Sequence, residues 1–322
     1  MTMDDERQIT AHIIMVRPHF FGPNAETSTS NFFQQTLTGS ADDIRTRAAS
    51  EFDDMVLALE AAGVNLIVFE DTDSPVKPDA VFPNNWASFH ADGTVFLYPM
   101  ESPNRRAERR TDIVESLSAE KDFYIREIID LSLWEDRGLF LEGTGSMVLD
   151  RPHRMAYAAL SSRTHMTVLG DFAQHTGYEI CAFEAVDSRA GVIYHTNVMM
   201  SIGEKFVVIC ADAIVDARKR EAVLSRLTAT GRDVIKISLA QMESFAGNIV
   251  ELGEAPGASV IVMSRSAHGG MSGEQLELLG QYGRILPVSI ETIESVGGGS
   301  VRCMVAEVFL PRPDTPAVNK NE

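Results

Sequence analysis

Residues 296–308 read VGGGSVRCMVAEV, three glycines running into a short apolar segment that carries a cysteine. Glycine adopts backbone that other residues avoid and lets chain or ligand come close, so the run marks a sharp turn or close approach just ahead of Cys303. Four other stretches share the make-up, an apolar strand with a polar residue at the matching place. They are AVFPNNWASF with Asn84, LFLEGTGSMV with Glu142, VIYHTNVMMS with His195 and ESFAGNIVEL with Asn248. From Asn84 to Cys303 the polar positions are spaced by 58, 53, 53 and 55 residues. A period near 55 residues is the mark of an array of similar units.

The rest of each unit is legible too. Amphipathic helical patterns start at Ala41, Arg105, Arg163, Asp216 and Ser272, and four of the five end at or beside a glycine. A short apolar strand follows each: VNLIVFE, FYIREII, YEICAFE, DVIKISL and RILPVSI. After the polar-bearing strand a third strand usually comes, as in TVFLYPM, RMAYAAL, FVVICAD and SVIVMSR. The fifth unit has none after it, but the chain opens with an orphan strand, HIIMVRP from His12, able to close a ring. The pattern predicts an α/β fold, a pseudo-symmetric ring of five mixed strand-helix units. It forms one domain over 1–312, with a flexible tail over 313–322. Equivalent strands of such a ring converge on its axis, so Asn84, Glu142, His195, Asn248 and Cys303 are expected to meet there.

Composition narrows the partners. The net charge of -18 over 322 residues opposes a nucleic-acid partner and an anionic membrane surface. No apolar run approaches the ~18 residues of a membrane span. Three cysteines make a disulfide framework improbable, and the polar, acidic N-terminus lacks a secretory pattern, so a cytoplasmic protein is expected. No Walker loop, G-x-G-x-x-G, G-x-S-x-G or H-E-x-x-H occurs, so no cofactor or metal is expected. What remains is the convergent set. Cysteine, histidine and a carboxylate together make an activated nucleophile: Cys303 attacks, His195 carries protons and Glu142 orients the ring or holds a substrate N–H. Cys181 and Cys210, without a glycine-rich approach, read as core filler.

At these residues the chain resembles the pentein superfamily, which includes arginine deiminases, dimethylarginine dimethylaminohydrolases and amidinotransferases. The likeness runs from VRPHFFGPN to GGGSVRCMVAEVFLP. It implies a five-bladed α/β propeller, Cys303 as nucleophile, His195 as acid and base, Glu142 as acidic partner, and a small amino-acid substrate. PDAVFPNNW resembles the substrate strand of the dimethylaminohydrolases, with Asp79 on its aspartate and Asn84 and Asn85 where an acidic pair stands. YAALSSRT resembles the motif that holds the substrate carboxylate, and Arg163 falls on its arginine. Asn248, in FAGN, matches a family-like asparagine, either a backbone-bonding residue or a ligand contact. Deiminases grip a guanidinium with carboxylates, one of them two residues after the histidine; here Asn85 and Asn197 stand in those places. An amide offers one acceptor, two donors and no charge, which suits a neutral ureido group. The expected substrate is therefore citrulline or a close relative, hydrolysed with release of ammonia. An arginine or dimethylarginine hydrolase, or an amidinotransferase, is the alternative. The sequence leaves the oligomeric state open, homo-oligomers included.

Overall fold

The computed structural model describes residues 6–28, 30–35, 39–253 and 258–312; the tail expected over 313–322 lies outside the described residues. The strands in chain order are β1 (His12–Arg17), β2 (Asn65–Glu70), β3 (Ala87–Phe89), β4 (Thr94–Leu97), β5 (Glu127–Asp130), β6 (Val148–Asp150), β7 (Met155–Ala159), β8 (Glu179–Phe183), β9 (Met200–Ile202), β10 (Phe206–Ile209), β11 (Asp233–Lys236), β12 (Val250–Gly253), β13 (Ser259–Ser264), β14 (Arg284–Val288) and β15 (Ala306–Glu307). The helices are α1 (Ala41–Ala61), α2 (Thr111–Ala119), α3 (Gly143–Ser146), α4 (Met166–Thr176), α5 (Ala217–Ala229), α6 (Leu239–Glu243), α7 (Arg265–Gly270), α8 (Gly273–Gly280) and α9 (Glu291–Gly297).

The strands form five three-stranded sheets: β3-β4-β5, β6-β7-β8, β9-β10-β11, β12-β13-β14 and β15-β1-β2. One plan repeats. An inner strand pairs antiparallel with a middle strand, and a helical crossover then lays an outer strand parallel to the middle one. Only such a crossover can join parallel neighbours. In the fifth sheet β15 pairs with β1, Ile13 opposite Glu307 and Ile14 opposite Ala306. The orphan first strand therefore fills the place that the fifth repeat leaves open, giving the mixed α/β fold of five small sheets. Middle strands are apolar on both faces because both are covered, and β4, β7 and β10 are buried end to end. Among the described residues no helix is long and apolar enough to cross a membrane.

Helix boundaries follow local chemistry. Ser40 and Asp43 close a capping box ahead of α1, which buries Ile44, Ala48, Phe52, Met55 and Leu59 at helical spacing. Ser272 and Gln275 do the same for α8, and left-handed Gly177 ends α4. The pattern from Arg105 departs from expectation. A 3-10 segment, Pro103–Glu108, precedes α2, because Arg105 and Glu108 turn inward and pair with each other instead of facing water.

The five periodic polar residues are also displaced from expectation. None lies in its inner strand; each sits in a single tight turn just ahead of it. Asn84 is in a 3-10 turn before β3, Glu142 and His195 lead turns before β6 and β9, and Asn248 and Cys303 occupy turns before β12 and β15. Turns of adjacent blades pack backbone to backbone here, so the chain closes its hydrogen bonds locally. A Cβ on Gly143 would stand 2.3 Å from the Asn84 carbonyl oxygen, and one on Gly247 2.5 Å from that of Val198. Only glycine permits so close an approach.

Candidate active site

The glycine run ends a helix that the sequence reading missed: α9 stops at Gly298, whose φ is +66°. Two glycines beside it press on Phe82, where a Cβ on Gly297 would come within 2.8 Å and one on Gly299 within 3.0 Å. The chain then turns, the Cys303 N–H donating to the Ser300 carbonyl at 2.9 Å. This delivers Cys303, 3% exposed, to the wall of a cavity of about 260 Å³. The same cavity is lined by His195, Asp79, Asn85 and Arg163. Of the other expected site residues, Glu142 stands behind His195, and Asn197 and Asn248 stand behind the sulfur. Asn84 is fully buried nearby, does not line the cavity, and has neither amide atom partnered.

His195 Nε2 lies 2.8 Å from Glu142 Oε2. Burial alone would raise the Glu142 pKa, but the Arg163 guanidinium, the His195 hydrogen bond and charge, and Arg105 hold it well below the usual carboxylate range. A charged Glu142 makes Nε2 the N–H end of the ring and leaves Nδ1 as acceptor. Burial pushes His195 down to about 4, against the pull of Glu142 and with help from Arg163 and Arg105, so the ring is neutral. Gly145 keeps the approach to that ring open, since a Cβ there would stand 2.8 Å from Nδ1. The other Glu142 oxygen accepts the Glu101 N–H at 3.0 Å, and Arg163 and Arg105 each stand 3.5 Å from Oε2.

Arg105 went unrecognised in the sequence because RRAERR reads as the polar face of a helix. Its guanidinium is buried, gripping Glu108 through two nitrogens, standing 3.6 Å from Asp79 Oδ2 and donating to Asn85 Oδ1 at 3.0 Å. Burial works against its charge, but Glu108, Asp79 and Glu142 hold its pKa above the ordinary value. Burial also raises Asp79, despite Arg105 and an Asn24 amide N–H at 2.7 Å. The loop after β1 was missed as well. Thr27 and Asn31 line the cavity, and Ser30 accepts from Arg163 at 2.7 Å. The one signal there was the Pro23–Asn24 turn dipeptide inside VRPHFFGPN. Tyr194, beside His195, closes another wall and lies under the Arg163 guanidinium, 5.1 Å from ring centre.

A thiol, a neutral imidazole with a carboxylate behind it, and donors and acceptors on one cavity wall can carry out nucleophilic substitution at a planar carbon. A family model described as N,N dimethylarginine dimethylhydrolase, eukaryotic, matches residues 17–310. Among solved structures, ArgZ, an arginine dihydrolase from the ornithine-ammonia cycle in cyanobacteria, superposes with TM-score 0.72 at 17% identity, over 96% of this chain and 42% of that one. The chain thus spans less than half of full-length ArgZ. It matches the isolated N-terminal domain of ArgZ over the domain's whole length, with 95% of this chain, TM-score 0.71 and 16% identity. A dimethylarginine dimethylaminohydrolase adduct with S-methyl-L-thiocitrulline superposes with TM-score 0.62 at 14% identity, over 93% of this chain and 99% of that one. No curated protein matches the chain. With 294 of its 322 residues under that family model and this fold around its cysteine, the chain belongs to the N,N-dimethylarginine dimethylhydrolase family of the pentein superfamily.

Proposed function

We propose that the chain is a cysteine hydrolase of citrulline or a closely related ureido amino acid, acting through a covalent S-linked intermediate. The observation that carries the ureido preference is the Asn85 amide. Arg105 donates to its Oδ1, which fixes the amide orientation and leaves Nδ2, a donor, unpartnered on the cavity wall. Asp79 Oδ1 is likewise buried and unpartnered. One donor and one acceptor match a ureido C=O and NH2, whereas a guanidinium brings donors only.

In this mechanism the thiol proton passes to His195 Nδ1 as the sulfur bonds to the ureido carbon. The imidazolium, steadied by Glu142, returns that proton to the departing nitrogen, and ammonia leaves. Neutral His195 then takes a proton from water, and the hydroxide adds to the same carbon. The C–S bond breaks, the sulfur regains the proton, and the released carbamate loses carbon dioxide to leave the amine. Arg163 holds the substrate carboxylate by exchanging its Ser30 and Glu101 contacts for it. Asn84 supports the head-group wall from behind.

A second reading has its own observation. Three buried carboxyl groups, Asp79, Glu108 and Glu142, face two buried guanidiniums, Arg105 and Arg163, and a negative charge remains for a cationic head group once Glu108, raised by burial to about 7, and Asp79, also raised by burial, are ionised. ArgZ, an arginine dihydrolase, is the precedent for arginine on this fold. Ammonia release from citrulline, arginine and N-methylated arginines, with and without an acceptor amine, separates the readings. Turnover of citrulline above arginine is expected. Turnover of guanidino compounds alone would replace the ureido reading, and acceptor-dependent transfer would replace hydrolysis.

A further inference from the structure

Two side-chain amides on Cys303 have no role in the steps above. Asn197 Nδ2 and Asn248 Nδ2 each stand 3.3 Å from Sγ. Both residues are buried, and the Asn248 amide is pinned by backbone on both sides. Its Oδ1 accepts the Arg302 N–H at 3.0 Å, and its Nδ2 also donates to the Asn197 carbonyl at 2.9 Å. The pinning turns the donor toward sulfur, while the thiol of the protonated form donates to Oδ1 over a longer 3.8 Å. A thiol is a weak acceptor, whereas an anion accepts hydrogen bonds strongly. From this geometry we infer that Asn197 and Asn248 form a two-donor cradle for the Cys303 thiolate and are not substrate contacts. The inference rests on Cys303 being the nucleophile.

The rest of the site offers sulfur little else. Facing it across the cavity are His195, Tyr194, Asp79, Arg105 and Arg163. His195 is neutral, and burial raises Tyr194, which stays a neutral phenol. Arg105 is engaged by Glu108, Asp79 and Glu142, and Arg163 by Glu142 and Glu101. No group there brings an unshared positive charge, the usual support of a reactive thiolate. Neutral N–H donors at the sulfur meet the same need. An aspartate at position 197 would set an acceptor and a negative charge against it instead.

The test is alkylation of the substrate-free protein by iodoacetamide across pH, read on the Cys303 peptide by mass spectrometry. In that reaction the thiol proton goes to water, the C–S bond forms and iodide leaves. Asn197→Asp and Asn248→Asp keep shape and remove a donor; Asn248→Asp also keeps the acceptor for Arg302. Asn197→Ala removes the donor without adding charge. Each change is expected to move the thiol titration upward by about one pH unit, so that alkylation near neutral pH slows about tenfold. Thermal melting confirms the fold of each variant, and Asn197→Ser replaces any that fails. Unchanged titration in folded variants would overturn the cradle, even with Cys303→Ala inactive. A Cys303→Ala enzyme that still turns over substrate would instead remove the nucleophile on which the inference rests.

Discussion

Two cavities among the described residues invite comparison, and the larger of the two is not the candidate site. The second, of about 440 Å³, is lined by β6, β9, β12 and β15 beyond the turns that carry the periodic residues. Its charges are paired: Arg302 with Glu307 at 2.7 Å, Arg151 with Glu6 at 2.9 Å, and Glu251 with the Glu204 N–H and the Ser259 hydroxyl. Each cavity has two buried polar atoms without a partner, Asn197 Oδ1 and Ser201 Oγ at the larger and Asp79 Oδ1 and Asn85 Nδ2 at the smaller, but only around the smaller do three carboxyl groups share two guanidiniums beside a cysteine and a histidine. A buried polar atom without a partner costs about 1–3 kcal/mol, and both cavities carry that cost. Shared charge beside a nucleophile, more than volume or unfinished hydrogen bonding, separates the candidate site from the larger cavity.

That contrast can be broken by mutation. His195→Ala should lower kcat/KM by about 10³-fold while thermal melting persists, since proton transfer commonly contributes 10²–10⁴. Near-wild-type turnover would erase the distinction between the cavities. Asp79→Asn should reduce kcat/KM by about 10²-fold through the head group, visible in steady-state kinetics. Arg105→Met frees the Asn85 amide to rotate, and should shift the citrulline-to-arginine preference toward arginine by about tenfold. On the structural side, Arg151→Met leaves Glu6 with only the Tyr178 hydroxyl and removes the guanidinium from the Phe309 ring, and should lower stability by on the order of 2–3 kcal/mol in denaturant titration, with kcat/KM unchanged.

Acid provides the finest test. The folded His195 value, about 4, lies below that of a free imidazole, so the fold favours the neutral ring. That stabilisation is complete above pH 6.5 and fades as pH falls toward 4. The melting temperature should decline through that window, and His195→Gln should flatten the decline; an equal decline in the variant would contradict it.

Much of this was legible in the sequence, because repetition writes the same hydrophobic rhythm five times. The pairing of β1 with β15 followed from a strand left over at one end and a strand missing at the other. The convergence of Cys303, His195 and Glu142 was legible because all three fall on the repeat. Arg105 was not, because its inward turn depends on Glu108, Asp79 and Asn85, which reach it only through tertiary packing. Nor were the loop residues Asn24, Thr27 and Asn31, which follow no period and take their places from contacts with other blades. Local propensity placed the polar residues in strands, and the backbone-to-backbone packing of neighbouring turns overrode it.

The proposed reaction turns on a bond between Cys303 and the carbon of a ureido or guanidino group. Rapid acid quench during turnover of citrulline, followed by intact-protein and peptide mass spectrometry, tests it directly. A transient adduct is expected on the Cys303 peptide that retains the substrate carbon, has lost one ammonia, and is absent from Cys303→Ala. Turnover with an unmodified Cys303 peptide at every quench time, or an adduct confined to Cys181 or Cys210, would contradict it.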